Sequence, residues 1–555
     1  MQSIPQAARI HCASRRGLLA VSMLVTLLSA GAVSTSAAAT ADAPAMPCAS
    51  LAGLRIPGYD VTIKTATLVP AGPIPQSPIG PPLTGTLPAY CRVDGVIDPR
   101  TGSDGKPYAI GFAVALPEHW NGRFLFQGGG GLNGNVALPI GAAASGAKPA
   151  LTRGYAVVST DSGHTGAVFD SSFFNEQEAT LNFLYQAIGK VAPVGKAVVA
   201  ARYGRAPERS YFVGCSTGGR EAMIMSQRYP RYFDGIVAGA PAMRTNFSNL
   251  ADKYVAVALN AVAPKDENGK PLAARALSDG DKKLIIDSLL KACDAKDGVA
   301  DGMVFDARGC DFNPTALACK GPKTDACLAP EQAAAIAKGF AGPKDSRGNE
   351  VYPGWFFDTG LTAKGFIPGL LNPGPSPVGP PVTGTQMDVD KEALLATNQV
   401  AAVGDSAHWT QINTFFQHGG KLIFYHGLSD PWFSAKDTIR YYTEMTADNG
   451  GAEVVAKSSR LFLVPGMGHC FGGGPTLDEF DLLTSLEGWV EKGAPPDSVV
   501  ATGRAIPGRS RPLCPYPKHA QYQGTGDPEN AANFECREQS PPSRVPGTQA
   551  AQAPQ

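Results

Sequence analysis

The segment YFVGCSTGGREAMIMSQRYP constrains this chain more than any other. Tyr211, Phe212 and Val213 close an apolar, aromatic run of the kind that makes a buried strand, and residues 221–229 have the character of a helix. Ser216 therefore falls on the turn between strand and helix, flanked by Gly214 and Gly218. A turn that sharp needs glycine where a Cβ would clash, and it leaves the serine hydroxyl exposed with helix amides just behind it. This is the context of a G-x-S-x-G nucleophile elbow. In a chain with 64 glycines the pattern arises easily by chance, so its chemical partners have to be found elsewhere in the sequence.

At 555 residues and 43% hydrophobic content the chain can bury a large core, and a main domain with a substantial insertion is expected. Lys+Arg and Asp+Glu both number 48, a balance in which nothing points to electrostatic capture of nucleic acid or of an anionic membrane surface. A small, neutral or weakly acidic substrate fits better. Arg9, Arg15 and Arg16 precede an apolar run at 18–28 and a small-residue stretch at 34–43, the pattern of an export signal. The alternative, an uncleaved membrane anchor, fits less well because the run is short and broken by Ser and Thr. Ser14-Arg15-Arg16-Gly17-Leu18-Leu19 also has the look of a twin-arginine signal. Of 11 cysteines, Cys12 lies in this segment, and the remaining ten, an even number in an exported chain, point to five disulfides. No C-x2-C pair or Cys/His cluster of zinc spacing is present.

Along the chain, residues 48–82 are rich in Pro and Gly and predict an arm pinned by a Cys48/Cys91 bridge. Strands are expected at 108–116 and 123–127, the second running into Gly128-Gly129-Gly130-Gly131-Leu132-Asn133-Gly134. Such a loop can supply an oxyanion-hole amide. A flexible loop is the alternative, and a phosphate loop is disfavoured because no Lys-Ser/Thr follows. A strand at 154–161 ends at Asp161-Ser162-Gly163-His164, where His164 either lines a site or is a structural histidine. A helix at 181–202, the elbow and a strand at 233–240 complete an alternation that implies a mostly parallel sheet covered on both faces. The alternation stops at 241–404 and resumes with strands at 421–426 and 460–464 and a helix at 479–490. The fold expected is α/β, an α/β-hydrolase with a large inserted lid. Residues 1–43 are the signal, 44–240 and 405–540 the two parts of the hydrolase domain, 241–404 the lid, and 541–555 a disordered tail. A Cys514/Cys536 bridge is expected before that tail.

Within the lid, Cys293-Asp294-Ala295-Lys296-Asp297-Gly298-Val299-Ala300-Asp301-Gly302-Met303 sets three carboxylates among glycines. Asp294, Asp297 and Asp301 can face one hard cation, although the spacing is not that of an EF-hand. A solvated acidic loop is the alternative, opposed by the mutual repulsion of three like charges.

Ser216, then Asp430 in YHGLSD, then His469 in VPGMGHC is the chain order of an α/β-hydrolase triad, with acid and base each in a loop after a late strand. His469 would take the proton from Ser216 and Asp430 would orient the imidazole. If Ser216 and His469 meet, their neighbours Cys215 and Cys470 come within bridging distance, so the triad predicts a disulfide beneath itself.

These motifs, GCSTGGR, CDAKDGVADG, YHGLSD, VPGMGHC and RPLCPYP, resemble those of the tannase/feruloyl esterase family of α/β-hydrolases over nearly all of the mature chain. Within it the chain resembles the branch of the mono(2-hydroxyethyl) terephthalate hydrolases. The resemblance implies structural calcium held by the Asp294, Asp297 and Asp301 side chains and the Val299 and Met303 carbonyls. It implies an oxyanion hole from the amides of Gly131 and Thr217. It also implies the pairings Cys48/Cys91, Cys215/Cys470, Cys293/Cys310, Cys319/Cys327 and Cys514/Cys536. The terephthalate branch holds its substrate's carboxylate with a lid arginine, and here residues 360–400 contain none. Thr217 also stands where that branch has an acidic residue. The expected function is thus a secreted or periplasmic serine carboxylic ester hydrolase acting on feruloyl or galloyl esters, with terephthalate monoesters as the alternative substrate. A non-catalytic binding protein on the same fold is opposed by the intact triad.

Overall fold

The computed structural model describes residues 45–76, 83–372 and 382–538. The expected signal at 1–43 and tail at 541–555 lie outside these. The described residues form one compact unit. Its centre is a nine-stranded sheet made, in chain order, of β1 (Val61–Val69), β2 (Tyr90–Thr101), β3 (Pro107–Pro117), β4 (Arg123–Gln127), β5 (Ala156–Thr160), β6 (Arg209–Cys215), β7 (Gly235–Gly239), β8 (Lys421–Gly427) and β9 (Ser459–Val464). The spatial order is β1-β2-β3-β5-β4-β6-β7-β8-β9. The first three pairings are antiparallel, and from β5 to β9 every pairing is parallel.

The central strands bury both faces, which is why they read as continuous apolar runs. Phe124, Phe126, Phe212, Ile236 and Phe424 point to one core, with residues of α1 (Ala187–Tyr203) and α2 (Thr217–Arg228). Leu125, Tyr211, Val213, Val237 and Ile423 point to the other. Between β7 and β8 the chain leaves the sheet and builds α3 (Thr245–Val262), α4 (Asp279–Cys293) and α5 (Pro330–Ala341). This insertion has a core of its own, in which Val255, Leu259, Ile285, Ile336 and Trp355 pack together. After β8 come α6 (Ala435–Asp448) and α7 (Leu482–Lys492), one on each core.

Two elements depart from the sequence expectation. The Pro- and Gly-rich arm contains β1, which pairs along almost its whole length with β2 and forms the edge of the sheet. The helix expected at 181–202 is opened by a π-helical turn at Asn182–Gln186 before α1 begins. All five expected disulfides are present: Cys48–Cys91, Cys215–Cys470, Cys293–Cys310, Cys319–Cys327 and Cys514–Cys536. Among the described residues no helix is long and apolar enough to cross a membrane.

Candidate active site

Ser216 sits between β6 and α2 with φ 64° and ψ −123°, a backbone conformation that L-residues rarely adopt. The turn is closed by contacts only glycine permits. A Cβ on Gly214 would meet the Gly218 carbonyl oxygen at 2.4 Å, and one on Gly218 would meet the Gly129 oxygen at 2.7 Å. The Ser216 amide donates to Gly239 O and its carbonyl accepts from Ala242 N, so the end of β7 and the residues just after it hold the strained turn.

The acid and the base lie on the loops after β8 and β9, at the carboxyl ends of parallel strands, where open α/β sheets place their ligands. Asp430 is fully buried and surrounded by donors. His469 Nδ1 is 2.7 Å from its Oδ2, and the amides of Trp432 and Phe433 donate to Oδ1. His426, at the end of β8, was not singled out by the sequence and also faces this carboxylate, with Nε2 3.2 Å from Oδ2. Because His426 Nε2 also lies 3.0 Å from the Phe433 carbonyl, both its neighbours are acceptors and Nε2 must carry the proton. Nδ1 then accepts from the Thr438 hydroxyl at 2.9 Å. Burial alone would raise the Asp430 carboxyl, but His469 and His426 hold it well below the usual carboxylate range.

With Nδ1 committed to Asp430, His469 presents Nε2 as a base, and this atom is buried without a hydrogen-bond partner. Ser216 Oγ makes no bond to it, as is common in such pairs before substrate binds. The Cys215–Cys470 bridge joins the residue before the serine to the residue after the histidine, with Cα atoms 6.1 Å apart. The strand-to-loop spacing that pointed to Ser216, Asp430 and His469 therefore brings all three to one end of the sheet.

The glycine loop after β4 packs on the same turn. Gly218 N donates to Gly129 O, and the Thr217 hydroxyl donates to Gly131 O. Thr217 is the first residue of α2, so its amide has no carbonyl of its own helix to satisfy. Gly131 has φ 56°, and a Cβ there would meet Val168 O at 2.7 Å. Buried Glu221 anchors the loop from below, accepting from Gly129 N, Asn133 Nδ2 and Ser162 Oγ. His164 is a packing residue, stacked on Phe173 at 3.7 Å between ring centroids, and burial pushes it down to about 4.

Ser216, Thr217 and Gly131 open on a cavity of about 1340 Å³ that continues into the insertion. Trp432 and Phe433, whose rings pack against His469 at 4.9 and 5.2 Å, line it on the sheet side. Phe247, Val255 and Leu370 belong to the insertion. A second buried link joins the loops of acid and base. Asp358, from the insertion, accepts from Ser429 Oγ and from Gly466 N, each at 2.7 Å.

The acidic loop follows α4 directly. Asp294 accepts from the amides of Asp301 and Gly302, and Gly298 and Gly302 take positive φ to wrap the chain. Asp301 turns its carboxylate to Arg511 and Arg509. Among the described residues no three His, Cys, Asp or Glu side chains are grouped to hold a metal ion. Asp297 Oδ2, however, is buried with no partner. Burial, with Asp301 and Asp294 adding repulsion, pushes that carboxyl up to about 8. An all-oxygen donor set with one orphaned carboxylate oxygen fits a hard cation.

The model of the tannase and feruloyl esterase family matches residues 91–373 and 382–537. The chain is 38% identical to mono(2-hydroxyethyl) terephthalate hydrolase of Piscinibacter sakaiensis, over 81% of this chain and 85% of that one. It is 30% identical to a probable feruloyl esterase of Arthroderma benhamiae, over 94% and 98% of the two chains. Among solved structures, feruloyl esterase B from Aspergillus oryzae superposes with a TM-score of 0.70 at 26% identity, covering 88% of this chain and 99% of that one.

Proposed function

Because the chain belongs to the tannase and feruloyl esterase family and is a carboxylic ester hydrolase, we propose that it cleaves esters of hydroxylated aromatic acids, feruloyl or galloyl, through an acyl-enzyme on Ser216. The observation that carries this is the unpartnered Nε2 of His469, fixed by Asp430 and tied by the Cys215–Cys470 bridge to the segment bearing Ser216. In the first step Ser216 Oγ bonds to the ester carbonyl carbon while its proton passes to His469 Nε2. Negative charge on the former carbonyl oxygen is met by the amides of Gly131 and Thr217, each contributing about 3 kcal/mol in the transition state. The tetrahedral species collapses, the proton on Nε2 goes to the leaving alcohol, and the acid remains on Ser216. Water, deprotonated by His469, then releases it. Asp430 stays ionised throughout, as four surrounding donors favour.

Calcium would have a structural role, and the residues that would hold it are the side chains of Asp294, Asp297 and Asp301 and the carbonyls of Val299 and Met303. The five disulfides support an exported, oxidised location, secreted or periplasmic. The relative at 38% identity keeps terephthalate monoesters as a second reading. Rates on methyl ferulate, methyl gallate and mono(2-hydroxyethyl) terephthalate separate the two. A higher kcat/KM on ferulate or gallate is expected, and preference for the terephthalate monoester would replace the first substrate class by the second.

A further inference from the structure

One side of the cavity is a face of α3. Asn249, Asp252, Ala256 and Asn260 recur every three or four residues and all line it. Asn260 is engaged through Nδ2, which donates to the carbonyls of Val382 and Gly384. Asp252 is not: among the described residues its carboxyl has no hydrogen-bond or ion-pair partner, although its neighbour Lys253 pairs with Glu392. It is half-buried at the cavity wall, recessed enough that desolvation pushes its carboxyl up to about 6.

The cationic groups that line the cavity are already committed. Arg220 donates to the carbonyls of Leu184 and Phe183. Arg244 pairs with buried Asp437 at 2.6 Å, and His408 faces Asp405 at 3.0 Å. Among its described residues the cavity therefore offers a bound ester one unpaired carboxylate and no free cation.

We propose that Asp252 sets substrate choice by accepting a hydrogen bond from a hydroxyl of the bound ester and by repelling esters that carry a free carboxylate. The proposal rests on the esterase function above. A desolvated carboxylate favours a hydroxyl donor and disfavours a second anion in the same low-dielectric space. The hydroxyl can belong to the acid's ring or to the alcohol, and the chemistry is the same.

The test compares kcat/KM ratios in the full chain and in Asp252→Asn and Asp252→Leu, with melting temperature read for each protein. One pair of esters, methyl cinnamate and methyl 4-hydroxycinnamate, places the hydroxyl on the acid. A second, methyl cinnamate and glyceryl cinnamate, places it on the alcohol. A third, methyl benzoate and monomethyl terephthalate, adds a free carboxylate. In the unmodified chain the hydroxylated ester is favoured in one of the first two pairs by about 10-fold, the size of a hydrogen bond to a charged acceptor, and Asp252→Leu brings that ratio near one. In the third pair the carboxylate ester is disfavoured, and Asp252→Asn relieves this by about 10-fold. Ratios that stay as in the unmodified chain in all three pairs overturn the role of Asp252 while leaving the esterase standing. An unmodified chain that cleaves none of these esters removes both.

Discussion

At the scale of single residues, the site works by leaving few groups free. Asp430 is held by four donors and His469 by one acceptor, so the base atom this pair leaves uncommitted, Nε2 of His469, is the one the chemistry requires. Asp161, at the end of β5, shows the same economy in a supporting role. Its Oδ1 accepts from the amides of Gly111 and Gly163, and burial pushes the carboxyl up to about 7. A folded-state value above that of the unfolded chain means the folded protein holds the proton more tightly. The stability this contributes is full at pH below about 4 and is lost as pH rises through about 7. Asp161→Asn keeps the Oδ1 acceptor and removes the titration, so urea midpoints measured from pH 4 to 8 should fall less steeply with pH in the variant. Parallel slopes for the two proteins would contradict this.

At the scale of elements, the sheet ends hold the triad and the insertion holds the loops in register. Asp358 is the connecting residue, since Ser429 precedes Asp430 and Gly466 lies three residues before His469. Asp358→Ala leaves a buried hydroxyl and amide unpaired, at about 1–3 kcal/mol each, and should lower both kcat and the urea midpoint, with Asp358→Asn partly restoring them. Unchanged kcat in the alanine variant would show that the insertion does not position the acid and base. The parallel strands and the elbow were legible because their residues are buried on both faces and leave uninterrupted apolar runs. β1 was not, because only Val61 and Ile63 of it are buried and everything from Lys64 on is exposed or half-buried at the sheet edge, which leaves no apolar run or sustained alternation to read. β2 is broken in sequence by Gly95 and Asp98-Pro99, although its inward residues Val93 and Ile97 are fully buried. His426, Glu221 and Asp358 were also invisible, since each acts through partners distant in the chain. Cys215 and Cys470 gave the opposite case, two residues whose pairing could be inferred because each adjoins a residue of known chemistry.

At the scale of the whole molecule, covalent and ionic ties bring distant segments to one place. The Cys215–Cys470 bridge closes a separation of 255 residues, and the loop-entropy relation gives about 5 kcal/mol as an upper contribution. The acidic loop is tied in turn to the C-terminal segment through Arg509 and Arg511 on Asp301. A cation bound there stabilises the folded state by mass action. Calcium should therefore raise the melting temperature of EDTA-treated protein while leaving initial ester hydrolysis at low temperature little changed, and an unchanged melting temperature would remove the calcium site. The central claim is that Ser216 carries the acyl group. It is tested most directly by kcat/KM of Ser216→Ala on methyl ferulate, beside a melting curve showing that the variant is folded. Loss of the serine is predicted to reduce the rate by about 10⁴-fold or more. A folded Ser216→Ala protein that hydrolyses methyl ferulate at the rate of the unmodified chain would contradict it.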